Sequence, residues 1–363
     1  MKNLSIIGKL IFVLNSVFGI LLLITYLAPF VPPDIFWPIA FFGLAYPFIL
    51  LINIVFGIYW LVTFKRQILL SVIVIGCGWG QLTNFIQLGS SENQLEGFKV
   101  MSYNVRLFDL YNWSDNKQTR NKIFELIDEK SADIICFQEF FYSEKRGYFN
   151  TLDTLREFQK AKYYHTACTT TNSLHYFGIA TLSKYPIINR EKVSLQDSKN
   201  NICIYTDVLI DQDTIRIYNM HLASVHLGKE NYDFIENINN QETDEQLDGS
   251  KKIVELLKNA FIKRSEQART IAEHIDNSPY KVVVCGDFND TPSSFTYRTI
   301  SNDLCDSFSG SGVGVGATYN SSVPVFRIDY ILHDKKLTSS NFGVTPENIS
   351  DHFPITTVIS FME

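Results

Sequence analysis

Polar side chains suited to phosphate or metal chemistry recur where apolar runs stop. Asn104 closes FKVMSYN, Glu139 ends DIICFQE and His221 ends the run in YNMHLAS. Asp287 closes VVVCGD with Asn289 two residues on, Asp329 lies in RIDYIL, and Asp351 and His352 precede the last apolar run in SDHFPI. A rigid scaffold presents catalytic groups in such places, at the ends of its strands. Carboxylates and amides without Cys/His ligand spacing favour a hard cation, Mg²⁺ or Mn²⁺, over zinc. Mg²⁺ takes one or two carboxylates, waters and substrate phosphate. The histidines and remaining aspartates are then available to activate water or to protonate a leaving oxygen. Singly, each residue has a plainer reading. Glu139 suits an ion pair, Gly286 in GDFN suits a tight turn, and SDH suits a cap. Their joint occurrence at strand ends favours a site.

The elements that must hold these residues are legible as apolar patterns. Strands are expected at Phe98–Asn104, Asp133–Gln138, Phe177–Leu182, Ile202–Ile210, Thr214–Met220, Lys281–Cys285, Phe326–Leu332 and Ile355–Ser360. Helices are expected at Asn116–Lys130, whose apolar face is Ile123, Phe124, Leu126 and Ile127, and at Lys251–Ile275. Hairpins, such as the one turning at Asp211–Gln212–Asp213, mix with strand–helix alternation. The order therefore predicts an α/β (α+β) fold of mixed sheets with helices outside. The polar, acid-rich stretch His226–Ser250 reads as a surface insertion.

Composition divides the 363 residues near residue 90. The first part is apolar, with runs at Leu10–Leu27, Ile35–Val62 and, more weakly, Ile68–Ile86. A membrane-spanning helix needs about 20 predominantly apolar residues. Residues 1–90 are therefore expected to form a membrane anchor of two to three helices, followed by a linker at 91–97. Lys2 and Lys9 precede the first run, Lys65 and Arg66 follow the second, and no Lys or Arg lies between Lys9 and Lys65. Basic flanks stay cytoplasmic. Three crossings then carry the second half of the chain to the extracytoplasmic side, with the bilayer itself as a partner. The formal net charge of −6 does not favour a nucleic-acid partner. The six cysteines include no CxxC. They read as small core residues, and Cys168–Cys203 has no framework spacing to support a bridge.

The strings SYNVRLFD, IICFQE, GIATLSKYPI, NMHLAS, GDFNDTP, RIDYIL and SDHFPI, in this order, resemble the motif set of the endonuclease/exonuclease/phosphatase superfamily. The resemblance covers about residues 98–362 and implies a four-layer sandwich of two mixed β-sheets flanked by helices, preceded here by the N-terminal helical transmembrane region. It implies a catalytic domain at 98–363, with the polar insertion near 226–250, and hydrolysis of a phosphate ester. Glu139 is the implied main metal ligand, with Asn104 beside it and Asp351 binding directly or through water. Asp287 would orient or deprotonate the attacking water, or serve the leaving group. Asn289 would hold a phosphate oxygen, and His221 would support the phosphate or leaving group. His352, oriented by Asp329, would stabilise the phosphoryl charge. The expectation is a membrane-anchored, metal-dependent phosphoesterase acting on a phospholipid head group, a small phosphodiester or nucleic acid. An extracytoplasmic scavenging nuclease and a membrane-bound sensor that kept the fold are the other readings.

Overall fold

Strand β1 (Phe98–Asn104) shows how the C-terminal part of the chain is layered. In this computed structural model, which describes residues 4–89, 96–145, 147–195, 201–225, 243–320 and 326–362, β1 is buried along nearly its whole length. Side chains alternate along a strand. Phe98 and Val100 therefore enter a core with Ile134, Cys136, Val208, Ile217, Val283, Cys285, Ile331 and Ile355. Met101 and Tyr103 enter another with Ile123, Phe124, Ile127 and Leu155. The first core lies between two sheets. The second lies under the helices Thr119–Lys130 and Thr151–Phe158.

The remaining strands are β2 (Ile134–Ser143), β3 (Tyr163–Asn172), β4 (His175–Ser183), β5 (Ile187–Lys192), β6 (Ile202–Ile210), β7 (Asp213–His221), β8 (Lys281–Asp287), β9 (Leu304–Asp306), β10 (Asp329–Asp334), β11 (Leu337–Val344) and β12 (Ile355–Phe361). One sheet has the order β11-β12-β1-β2-β4-β3, the other β5-β6-β7-β8-β10-β9. Each has a parallel pair at its centre, β1/β2 and β7/β8, within otherwise antiparallel neighbours. On the outer face of the second sheet, Tyr218 Oη lies 2.8 Å from His274 Nδ1 of the helix Thr243–Asp276. Two mixed sheets flanked by helices are thus present, as expected.

Every central strand matches a predicted one. The strands missed are β3, β5, β9 and β11, which are the four sheet edges. Edge strands bury little and carry polar side chains. β5 reads IINREK and β11 reads LTSSNFGV, so neither has an apolar run. β2 is longer than predicted and does not stop at Glu139. Its pairing with β4 shifts register between Phe137 and Phe140, and Glu139 sits in that bulge at φ 48°. β3 shifts register against β4 in the same region, between Cys168 and Thr170. Gly178 is the β4 residue opposite both irregularities. A Cβ there would lie 2.0 Å from the Ala167 carbonyl oxygen, so only glycine lets β3 approach. The predicted Lys251–Ile275 helix begins earlier, at Thr243. The polar stretch at 226–250 lies outside the described residues up to 242, as does most of the 91–97 linker. Cys168 and Cys203 are free thiols.

The chain divides into two compact units. One comprises Met1–Trp79, Ala223–Ala268 and Ser293–Arg298, the other Gly80–Leu222, Arg269–Pro292 and Thr299–Glu363. The first unit is inverted relative to a water-soluble bundle. Ile6, Val13, Val17, Ile20, Leu51, Val55, Ile58, Leu69 and Ile73 are exposed, while polar groups are buried between the helices. Asn15 Nδ2 donates to Ser71 Oγ (3.0 Å), Trp60 Nε1 donates to Asn15 Oδ1 (2.9 Å) and Asn53 Nδ2 donates to the Phe18 carbonyl (3.0 Å). The helices Ile6–Thr25 and Pro38–Val62 are long and apolar enough to cross a membrane. The third run is broken. Ile68–Cys77 and Trp79–Phe85 meet at 76° across Gly78, where a Cβ would overlap the Tyr26 ring. The segment joining the two long helices packs on later parts of the same unit. Asp34 Oδ1 accepts from Ser265 Oγ (3.1 Å), Phe41 meets Phe261 edge-on, Arg298 lies 4.1 Å over the Phe30 ring, and Gly43 leaves room for the Ser293 carbonyl.

Gly178→Val should force β3 and β4 apart. The expected cost is about 2 kcal/mol or more, seen as a drop in Tm of roughly 4–8 °C. An unchanged Tm would show that the two bulges do not depend on this close approach.

Candidate active site

The register of the second sheet brings three of the predicted residues into one row. His221 is paired with Asp287 across β7/β8, and Asp287 with Asp329 across β8/β10. Asp287 is therefore flanked on both sides at the same level of the sheet. Gly286 makes this possible. It has φ 149°, and a Cβ there would lie 2.2 Å from the Met220 carbonyl oxygen of β7. After Asp287 the chain turns sharply. Asn289 has φ 53°, its N–H donates to Asp287 Oδ1 (2.8 Å), and its Nδ2 donates to the Leu222 carbonyl (3.2 Å). The GDFN turn thus reads in both ways: it is a tight turn, and the turn fixes two polar side chains.

The first sheet contributes the opposite wall. Asn104, at the end of β1, donates through Nδ2 to Asp287 Oδ2 (3.0 Å) and more weakly to Glu139 Oε1 (3.5 Å). Its Oδ1 accepts from the Arg106 N–H at 3.1 Å. Glu139 Oε1 lies 3.8 Å from His221 Nε2, which lies 3.6 Å from Asp287 Oδ2. These separations exceed hydrogen-bond range, and His221 Nε2 is buried without a partner among the described residues. Beneath this layer Gln138 Nε2 donates to Asn219 Oδ1 (2.8 Å), and Asn219 Nδ2 donates to the Ala180 carbonyl (2.9 Å). Gln138 precedes Glu139, and Asn219 is two residues before His221. Sequence reading passed over both, although each is a polar residue inside an apolar run.

His352 and Asp329 form a buried pair. Asp329 Oδ2 lies 2.9 Å from His352 Nδ1, and His352 Nε2 lies 3.6 Å from Asp287 Oδ2. Thr318 Oγ1 accepts from the Asp329 N–H at 3.1 Å, and Ser350 Oγ accepts from the His352 N–H at 3.3 Å. Ser350 Oγ also donates to the Asn104 carbonyl (2.9 Å), which ties SDH to the end of β1. Burial disfavours charge on His352, but the Asp329 and Asp287 carboxylates outweigh it and hold its pKa well above the ordinary value. Burial raises the Asp329 pKa and Asp287 adds to this, while His352 opposes. The two carboxylates thus favour the protonated imidazole of His352. Asp287, Asp329 and His352 are also close enough together to hold an ion.

Asp351 is set apart from the other predicted residues. Its Oδ2 lies 3.3 Å from Arg106 Nε, and its Oδ1 lies 3.3 Å from Ser350 Oγ. Arg106 was not anticipated. It opens a left-handed turn in which residues 106–109 all have positive φ, a costly conformation for side-chain-bearing residues. The turn leads into the loop bearing Tyr111 and Trp113, and Arg106 lies 4.7 Å over the Trp113 ring. A cleft of about 490 Å³ opens beside Glu139 and His221, lined also by Leu107, Tyr111, Thr169, Thr170, Asn172, Phe177, Gly178 and Ile202.

The model of the endonuclease/exonuclease/phosphatase family matches residues 101–352, and the chain belongs to that family. A Domain of unknown function (DUF8431) matches residues 8–85. No curated protein matches by sequence. Among solved structures, a family member from Bacteroides thetaiotaomicron aligns with TM-score 0.55 and 18% identity over 74% of this chain and 100% of its own. The human Nocturnin catalytic domain with bound sulfate aligns with TM-score 0.51 and 17% identity, covering 73% of this chain and 95% of its own. A mannosyl-6-phosphatase from Bacteroides thetaiotaomicron VPI-5482 gives TM-score 0.51 and 16% identity over 73% and 100%. These likenesses establish the fold.

A histidine whose pKa is raised on folding stabilises the fold fully below the unfolded value of about 6.5. That contribution is lost as pH rises through the folded pKa. Asp329→Asn should therefore lower the His352 pKa and remove a stabilisation that is fully present below about 6.5 and fades as pH rises through the folded pKa. NMR titration of His352 in the full-length protein checks this, and an unchanged titration would contradict the pairing.

Proposed function

We propose that this protein is a membrane-anchored, divalent-metal-dependent phosphoesterase. The observation that carries the proposal is the row His221–Asp287–Asp329, with Glu139 and Asn104 facing it from the other sheet. Such a site suits a metal on chemical grounds. Glu139 is a half-buried carboxylate held at a bulge, its Oε1 is shared with no donor closer than 3.5 Å, and the neighbouring donors are oxygens and an amide. Glu139 would hold the ion, with Asn104 beside it. Asp351, already engaged by Arg106, would act through water. A bound cation supplies positive charge to a phosphate oxygen.

The chain's own groups account for the proton movements. Asp287 Oδ2 accepts the proton of the attacking water as the water oxygen bonds to phosphorus. The bond from phosphorus to the alcohol oxygen breaks, and His221 Nε2–H donates to that oxygen, with Asp287, 3.6 Å away, returning the proton. Asn289 Nδ2, held by the Leu222 carbonyl, has a second N–H for a phosphate oxygen. The His352 imidazolium, oriented by Asp329, stabilises charge on the phosphoryl oxygens.

The anchor reading is supported by the exposed apolar exterior and buried polar contacts of the N-terminal helices, the pattern of a bundle solvated by lipid. We also infer a side. The segment between the two long helices packs on Phe261, Ser265 and Arg298 of the same unit. Lys9, Lys65 and Arg66 lie at the opposite helix ends, which are cytoplasmic by the positive-inside rule. The catalytic half is then extracytoplasmic, and the broken Ile68–Phe85 pair makes the third crossing.

Chelation should abolish hydrolysis of a generic aryl phosphate by the full-length protein in detergent, and Mg²⁺ or Mn²⁺ should restore it. Glu139→Gln should raise the metal concentration for half-maximal rate by on the order of 10-fold or more. Full activity in excess chelator would refute metal dependence. A reporter fused after Glu363 should be active only outside the cytoplasm; cytoplasmic activity would mean that the third pair does not cross.

A further inference from the structure

We propose that the cleft beside Glu139 and His221 binds the alcohol half of the phosphate ester, and that this alcohol is a neutral, hydroxyl-bearing ring such as a sugar or cyclitol. The inference rests on the phosphoesterase reading and specifies its substrate. It begins with the bulge in β3. On a regular strand, consecutive side chains point to opposite faces. The register shift between Cys168 and Thr170 breaks that alternation, and a bulge re-aims side chains. Both Thr169 and Thr170 consequently line the cleft, joined by Asn172 further along the strand. Gly178, opposite the bulge on β4, also lines it and keeps its floor free of a side chain.

The lining has two chemical halves. Thr169, Thr170 and Asn172 offer hydroxyl and amide groups, which both donate and accept. Thr169 Oγ1 already donates to the Phe177 carbonyl at 3.3 Å. Leu107, Tyr111, Phe177 and Ile202 offer apolar and aromatic surface. A ring with hydroxyls at its edge and C–H groups on its face matches both halves. The volume of about 490 Å³ falls in the range of small-molecule sites.

The charge of the described lining does not favour a polynucleotide. Tracking a nucleic-acid backbone takes Lys or Arg side chains along the groove. Among the described residues lining this cleft there is none. Among the described lining residues the ionisable groups besides Tyr111 are Glu139 and His221, which belong to the site. The nearest arginine on the adjoining turn, Arg106, is engaged by Asp351 and stacked on Trp113.

The test compares full-length protein in detergent with Thr170→Val and Asn172→Leu, using glucose 6-phosphate, myo-inositol 1-phosphate, p-nitrophenyl phosphate and a single-stranded oligodeoxynucleotide. Each variant should lower kcat/KM for the two polyol esters by about 3- to 10-fold, the scale of one hydrogen bond to a neutral group, chiefly through KM. The ratio of polyol-ester to aryl-ester kcat/KM should fall with it. Mg²⁺-dependent turnover of the aryl ester by the wild type stands as a separate check on the phosphoesterase reading. If that turnover is present but the ratio is unchanged in both variants, or if the oligonucleotide is the preferred substrate, the subsite assignment is overturned. If no ester is hydrolysed, both readings fall together.

Discussion

The hydrogen bond from Gln138 to Asn219 is the contact on which the rest of the site depends. It joins the centre of one sheet to the centre of the other, 2.8 Å long and fully buried. Glu139 is the next residue on one side, and His221 is two residues away on the other. The spacing of the sheets at this point therefore sets the distance between the carboxylate on one wall and the His221–Asp287–Asp329 row on the other. The burial of the two amides is offset by this bond and by the donation of Asn219 Nδ2 to the Ala180 carbonyl, while Gln138 Oε1 stays buried without a partner among the described residues. Losing either side chain would remove this bond between the sheets and leave a buried polar atom of the other short of its best partner, at a cost of about 1–3 kcal/mol, and would also relax the spacing.

Asp287 is where the two walls meet. It accepts from Asn104 of the first sheet and from its own loop at Asn289, and it lies 3.6 Å from both His221 and His352. Negative charge from Asp287 and Asp329 keeps His352 protonated despite burial. The surroundings of His352 thus favour its imidazolium form, while His221 faces the cleft.

How much of this was legible in the sequence follows from where burial lies. Central strands carry apolar runs because both faces are covered, so β1, β6, β8 and β12 could be read directly. The four edge strands could not, because one side of each is solvated and residues such as Asn189, Arg190 and Lys192 replace the pattern. Asn104, His221 and Asp287 were legible as polar residues closing apolar runs. Glu139 was placed correctly in the chain but for the wrong reason: a bulge, not the end of a strand, turns it to the site. Arg106, Thr169, Thr170 and Asn172 had no local signal, since their placement comes from a left-handed turn and a register shift that only pairing with neighbouring strands creates. Gly78, in the middle of an apolar run, was the one visible sign that the third run would not be a single straight helix.

The central claim is that the residues around Asp287 act as one unit. A double-mutant cycle on kcat of the full-length protein with an aryl phosphate, using His352→Ala, Asp329→Asn and both together, tests it most directly. His352→Ala should lose on the order of 10²-fold or more, and Asp329→Asn much of the same. The double variant should be far less impaired than the product of the two losses, as expected for groups that work together. Losses that multiply independently would contradict the account, because the 2.9 Å contact between these side chains would then carry no catalytic coupling.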